Sequence, residues 1–103
     1  MDRSIQFKLI ALNETQDDIG QFIEDPSVRV VYGQIASVSA SEFFAAGQNG
    51  FKPEYRITMF GPDYEGEHDC EIDGERYSIY RVYRTRYDKV ELYLERRVGD
   101  GEG

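Results

Sequence analysis

The sequence predicts an all-β protein, a small, mainly antiparallel β-barrel of about six strands with one short α-helix. Three observations carry this. Apolar and polar residues alternate with a period of two in several separate stretches, glycine-containing turn pairs punctuate them, and only one segment changes to a helical period.

From Ser4 to Leu12, Ile5, Phe7 and Leu9 alternate with Ser4, Gln6 and Lys8, the pattern of a half-buried strand. Residues 13 to 27 then turn polar and acidic and include Gly20 and Pro26, yet keep Ile19, Phe22 and Ile23. They are expected to form a long loop whose apolar trio docks on something. Val28 to Val38 is rich in β-branched residues and reads as a second strand, bent at Gly33.

The period changes at Ser39-x-x-Glu42, a capping box ahead of Phe43, Phe44, Ala45 and Ala46, with Gly47 expected to stop the helix. A helix of about two turns is unstable alone. It is expected to dock through Phe43 or Phe44 on its own barrel or on a neighbouring subunit.

Pro53 to Phe60 alternates again and ends at Gly61-Pro62. In Asp63 to Glu75 an acid occupies every odd position, which predicts one strand with a wet acidic face and a packed face carrying Tyr64, Cys70 and Ile72. Asp73-Gly74 predicts a two-residue hairpin turn. The return strand, Tyr77 to Tyr83, slips parity between Ile79 and Tyr80, which predicts a bulge. In the last strand Val90, Leu92 and Leu94 face in while Glu91, Tyr93, Glu95 and Arg97 face out. One domain is expected over residues 1–98, with 99–103 a flexible tail.

Composition narrows the function. The net charge of −8 repels a phosphate backbone and disfavours wrapping of duplex DNA by the whole surface. Seven of the twelve basic residues nevertheless lie between positions 76 and 97, so a locally basic edge on an acidic body is expected. The single cysteine cannot form an intramolecular disulfide, the N-terminus lacks the apolar run of a signal peptide, and no stretch is apolar enough to span a membrane. A soluble protein synthesised in the cytoplasm is expected.

No catalytic, cofactor-binding or metal-binding residue is assigned. His68 and Cys70 are two ligands where a zinc site wants about four, and Asp69 between them points to the other face of a strand. They read as ordinary core or near-surface residues. The acids of 63–75 lack the ligand spacing of a calcium loop and read as a solvated face. Neither a phosphate-cradling glycine loop nor a Gly-x-Ser-x-Gly elbow is present.

Tyrosines and arginines interleave from Arg76 to Tyr87. Tyr77, Tyr80 and Tyr83 with Arg81, Arg84 and Arg86 could form a stacking platform for single-stranded nucleic acid. The competing account has the tyrosines packing across strands and the arginines pairing with Glu91, Glu95 or a partner's carboxylates. Arg81, Arg84 and Arg86 are on that account candidate interface residues.

The order of segments Ser37 to Gln48, Asp63 to Glu67, the hairpin Ile72 to Ile79 and the ending Asp88 to Leu94 resembles phage head-closure, or head-tail adaptor, proteins over nearly the whole chain. The resemblance implies a non-enzymatic β-barrel in the virion, assembled as a dodecameric ring beneath the portal and adaptor rings. It implies retention of packaged DNA, which passes through the channel without sequence-specific binding, and a surface for a tail terminator or tail protein. By position, Ile19, Phe22, Ile23, Glu42, Phe43, Phe44 and Gln48 are candidates for subunit contact or channel gating. A tail-terminator or tail-completion protein and an oligonucleotide-binding barrel stay open as alternatives.

Overall fold

The computed structural model describes residues 3–16, 22–85 and 88–96, with segments 12–16 and 22–26 described by backbone alone. The elements run β1 (Arg3–Gln16), β2 (Phe22–Ala36), α1 (Ala40–Gln48), β3 (Pro53–Phe60), a 3-10 turn (Gly61–Asp63), β4 (Asp69–Ile72), β5 (Glu75–Arg84) and β6 (Lys89–Arg96). All strand pairs are antiparallel, and the sheet closes in the order β1-β2-β3-β6-β5-β4. The expected barrel of six strands with one short helix is therefore what forms.

Closure rests on three residue pairs, Lys8 with Glu71, Leu9 with Cys70 and Ile10 with Asp69. The inward positions fill the lumen. Phe7, Leu9, Ile57, Met59, Cys70, Val90, Leu92 and Leu94 are buried in one continuous core, joined by Val31, Ile35, Tyr64, Ile72, Tyr77 and Ile79. Gly33 on β2 is needed there because a Cβ would lie 2.8 Å from Ile57 Cγ2 and 3.1 Å from Phe7 Cε1. Strands β1, β3 and β6 thus follow the alternation of their sequences, since one face of each meets this core.

The turns obey local chemistry. Asp73 and Gly74 have φ of 52° and 83°, the two positive values of a type I′ hairpin. On β5 the register against β6 shifts between Ile79 and Arg81, so Tyr80 is the extra residue of the expected bulge.

Three expectations are corrected. Residues 13–27 do not form one long loop. β1 and β2 stay paired from Ala11 opposite Ser27 out to Gln16 opposite Phe22. Because β4 meets β1 only at Lys8–Ile10 and β3 meets β2 only at Gly33–Ala36, this stretch is a two-stranded arm. Six residue pairs give it a length of roughly 20 Å. Cross-strand backbone pairing alone defines the arm, so the apolar alternation that reveals a strand is not required, and Pro26 is tolerated because the strand is an edge.

The left-handed residue that stops the helix is Gly50, not Gly47. Gly47 lies within α1, whereas Gly50 has φ +87°. The amide of Phe51 donates to Ala46 O at 3.0 Å and that of Gly50 to Gly47 O at 3.1 Å, the paired bonds of a Schellman motif with Asn49 as C-cap. Ser39 is the N-cap as expected, its Oγ accepting from the Glu42 amide at 3.1 Å. The Glu42 carboxylate does not complete the capping box, because it is engaged elsewhere.

The segment 63–75 is not one strand. Only Asp69–Ile72 and the start of β5 are extended ladder, while 64–68 crosses an end of the barrel. Glu67 and Asp69 are buried, so the acidic face is not wholly wet.

Two glycine substitutions separate these caps. Gly50→Ala forces a left-handed alanine and is expected to cost about 1 kcal/mol, whereas Gly47→Ala, with open space at its Cβ, is expected to be neutral or to gain up to about 1 kcal/mol. Urea unfolding of both variants measures the difference.

Candidate assembly surfaces

Arg29 shares the inward face of the sheet with its cross-strand neighbour Leu9, but sits where the core ends. An unpaired guanidinium there would be costly. Its Nε and Nη2 donate to Glu67 Oε2 at 3.0 and 2.7 Å, and Nη2 also donates to the Asp63 carbonyl at 2.7 Å. Glu67 Oε1 accepts the Glu65 amide at 2.9 Å, and the Tyr64 hydroxyl donates to the Glu67 carbonyl at 2.7 Å. The acidic crossing segment is thereby clamped over the mouth of the barrel. Burial pushes the Glu67 carboxyl up, but the Arg29 and backbone hydrogen bonds outweigh it and hold the group below the usual carboxylate range.

A second polar anchor fixes the helix. α1 contributes only Ala46 to the buried residues, too little apolar area to hold two turns. Glu42 reaches over to β5 instead, accepting from the Tyr80 hydroxyl at 2.8 Å and from Arg81 Nη1 at 2.7 Å. Phe51, just past the helix, stacks on Tyr80 with centroids 4.7 Å apart, and the Arg81 guanidinium lies 4.7 Å over the Tyr93 ring. Burial and the bond to Glu42 together raise the Tyr80 phenol well above its ordinary value, so it remains a donor. Tyr93 faces outward on β6 as its parity predicts, yet it is buried.

The predicted site residues divide accordingly. Glu42 and Arg81 meet in this clasp. Phe43 and Phe44 do not dock the helix on its own barrel: they are 50% and 69% exposed and contact each other edge to face at 5.9 Å. Gln48 is exposed on the last turn. Arg84 is exposed, its guanidinium 5.8 Å from the Tyr64 ring. Phe22 and Ile23 lie on the arm opposite Gln16 and Thr15. Ile19 and Arg86 fall outside the described residues.

The arginine pairing takes other partners than Glu91 and Glu95. Arg81 uses Glu42 of the helix, Arg96 uses Glu75 at 2.6 Å, Glu91 accepts the Tyr93 hydroxyl, and Glu95 accepts the Lys52 amide. The helix places an acid beside β5 that strand parity alone cannot reveal. Arg29 is the residue that sequence reasoning passed over. Its signal was a lone cation on the inward parity of a β-branched strand.

The stacking platform for bases does not assemble. Tyr77 is in the core, Tyr80 is covered by Phe51, and only Tyr83 of the three presents an open ring. Burial pushes the Cys70 thiol up to about 12, which leaves little thiolate at neutral pH. His68 is exposed. Among the described residues no group of three His, Cys, Asp or Glu could hold a metal ion, and no helix is long and apolar enough to cross a membrane.

Because Glu67 is held below its unfolded value near 4.3, its contribution is full above that value and is lost as the pH falls through the folded one. Thermal stability is therefore expected to drop below about pH 4, and Glu67→Gln should flatten that limb. Arg29→Met leaves the buried Glu67 carboxylate with the Glu65 amide but without its cation, and is expected to cost about 2–3 kcal/mol at neutral pH, toward the lower end for a broken buried pair because Arg29 is partly wet. Denaturant titrations across pH measure both.

No curated protein matches the chain at a significant level. A profile of the phage head completion proteins does, over residues 1–99. With that match spanning nearly all of a closed barrel whose exposed features are aromatic and acidic surfaces, the chain belongs to the phage head completion protein family.

Proposed function

We propose that this protein closes the filled head of a tailed phage or prophage as a ring beneath the portal and adaptor, retaining packaged DNA and presenting the surface to which a tail protein attaches. The observation that carries the reading is the family match over residues 1–99. The barrel's surface agrees with it. Its polar anchors, Glu67 with Arg29 and Glu42 with Arg81, serve to hold the crossing segment and the helix in place rather than to face a substrate. The role is accordingly structural, carried by one domain over residues 1–98.

Within such a ring, Asp73 and Glu75, exposed at the hairpin turn, supply negative potential that keeps passing DNA from adhering. The arm formed by the ends of β1 and β2 reaches beyond the barrel and is the segment suited to subunit contact or channel gating. An oligonucleotide-binding role is disfavoured, since Tyr77 and Tyr80 are covered and Arg81 is engaged by Glu42.

Sedimentation tests the reading. The purified chain is expected to co-sediment with portal–adaptor complexes and to reduce DNA leakage from filled heads, and failure to co-sediment counts against it. In an oligonucleotide titration at physiological salt, binding weaker than about 1 μM is expected. Submicromolar binding lost on replacing Arg81 and Arg84 would overturn the structural reading.

A further inference from the structure

Residues 37–52, which carry α1, are joined to the barrel by neither of the interactions that build it. Among the described residues no ladder pair includes any of them, and the core cluster takes no side chain from them. Ala46 alone is buried, and it lies outside that cluster. The links across to the barrel are polar or aromatic. Glu42 accepts from the Tyr80 hydroxyl and from Arg81 Nη1, Phe51 stacks on Tyr80, and the Lys52 amide donates to Glu95 Oε1 at 3.0 Å. All but the last converge on Tyr80 and Arg81 of β5. The Ser39 cap, the Asn49 bonds and the closing bonds of Gly50 and Phe51 are internal to the segment and travel with it.

The face beneath is poorly matched to a cover. Strand order places β3 and β6 between β2 and β5, so a segment that leaves β2 at Ala36 and is held on β5 passes over both. In register beneath it lie Ala36, Arg56, Tyr93 and Arg81, one residue from each of four neighbouring strands. Ala36 and Tyr93 alternate with core residues and so point outward, yet both are buried. Arg56 is half-buried, and its Nε is closed off without an acceptor among the described residues. A buried N–H left in that state costs free energy that contact with water returns. The cover therefore works against itself at Arg56 and is kept shut at Glu42.

We propose that residues 37–52 form a strap that opens as one unit while the barrel stays closed, with Glu42 as its latch and the Arg56 guanidinium favouring release. Opening exposes little new apolar surface, since Phe43 and Phe44 already face solvent. Segments of this kind open well below the free energy of global unfolding. A nine-residue helix freed from its anchor does not persist in water, so opening and loss of the helix coincide. Arg81 then loses its carboxylate and Arg56 reaches water. This opening is a property of the single chain, and it stands whether or not the chain assembles into a ring.

Native-state hydrogen exchange, followed amide by amide from zero urea to just below the unfolding transition, tests the strap. In the wild type the amides of residues 43–48 are expected to be at least about a hundredfold less protected than those of Met59 and Leu92. Their rates should change little with urea, because little surface is exposed. Ile57→Val, which weakens the core, is expected to speed the Met59 and Leu92 amides about fivefold and to leave residues 43–48 as they were. Glu42→Gln keeps an oxygen acceptor for Tyr80 but loses the ion pair, and is expected to speed exchange over 43–48 about tenfold. Arg56→Leu removes the unsatisfied N–H and is expected to slow that exchange about fivefold, a direction that general damage does not produce.

Helix amides as protected as Met59 and Leu92 overturn the inference. So does acceleration of the helix by Ile57→Val in step with the barrel, since opening is then global. Helix exchange that is indifferent to Glu42→Gln removes the latch, and exchange that Arg56→Leu leaves unchanged or speeds removes the opposing cation; either result overturns the strap as proposed.

Discussion

Where Leu9 of β1 meets Cys70 of β4, the sheet closes on itself, and both side chains are wholly buried at the seam. An open six-stranded sheet would expose two long edges and a broad apolar face, a state that invites edge-to-edge pairing. Only three residue pairs prevent it. They suffice because the lumen behind them is filled by residues from all six strands, so opening the seam would expose the core as well as break the ladder. The short seam also decides where the chain is free. β1 passes β4 after three residues and continues with β2 as the arm, which no other strand pairs.

The chain is strongly acidic, yet its two most structured carboxylates act inside the molecule. Glu67 closes one mouth of the barrel against Arg29, and Glu42 ties the helix to β5 through Tyr80 and Arg81. Each has a cation and a neutral donor, so burial is compensated and the geometry is specific. Among the other described acids, Glu71 pairs with Lys8 and Glu75 with Arg96 at the surface, where an ion pair holds little. The two roles are separated by position: fixed where the barrel must be sealed or the helix held, and wet around the β4–β5 hairpin.

What was legible in the sequence depended on whether a strand has one buried face. β3 and β6 were readable to within a residue because Ile57, Met59, Val90, Leu92 and Leu94 line the core at period two. Asp73-Gly74 and the Ile79/Tyr80 slip were readable because turn and bulge are local chemistry. The arm was not, since a two-stranded ribbon needs backbone pairing and no apolar stripe. Nor were the partners of Glu42 and Arg29, which lie thirty-nine and thirty-eight residues away and meet only once the barrel has closed. Gly47 and Gly50 could both end a helix by composition. Gly50 takes the left-handed position, and the residue after it, Phe51, stacks on Tyr80.

Two turns that bury only Ala46 cannot be held by apolar area, and intrinsic propensity is too weak to hold them in water. Burying Phe43 or Phe44 on its own barrel would have stabilised the monomer by roughly 1.5–3 kcal/mol each. The chain instead anchors α1 through Glu42, the Ser39 cap and the Phe51–Tyr80 stack, none of which uses those two rings. A polar clasp fixes direction more tightly than apolar contact does, because hydrogen bonds tolerate little change in angle. The consequence is a ridge of two phenyl rings whose orientation is set from beneath, on a surface that the other described residues leave largely uncovered.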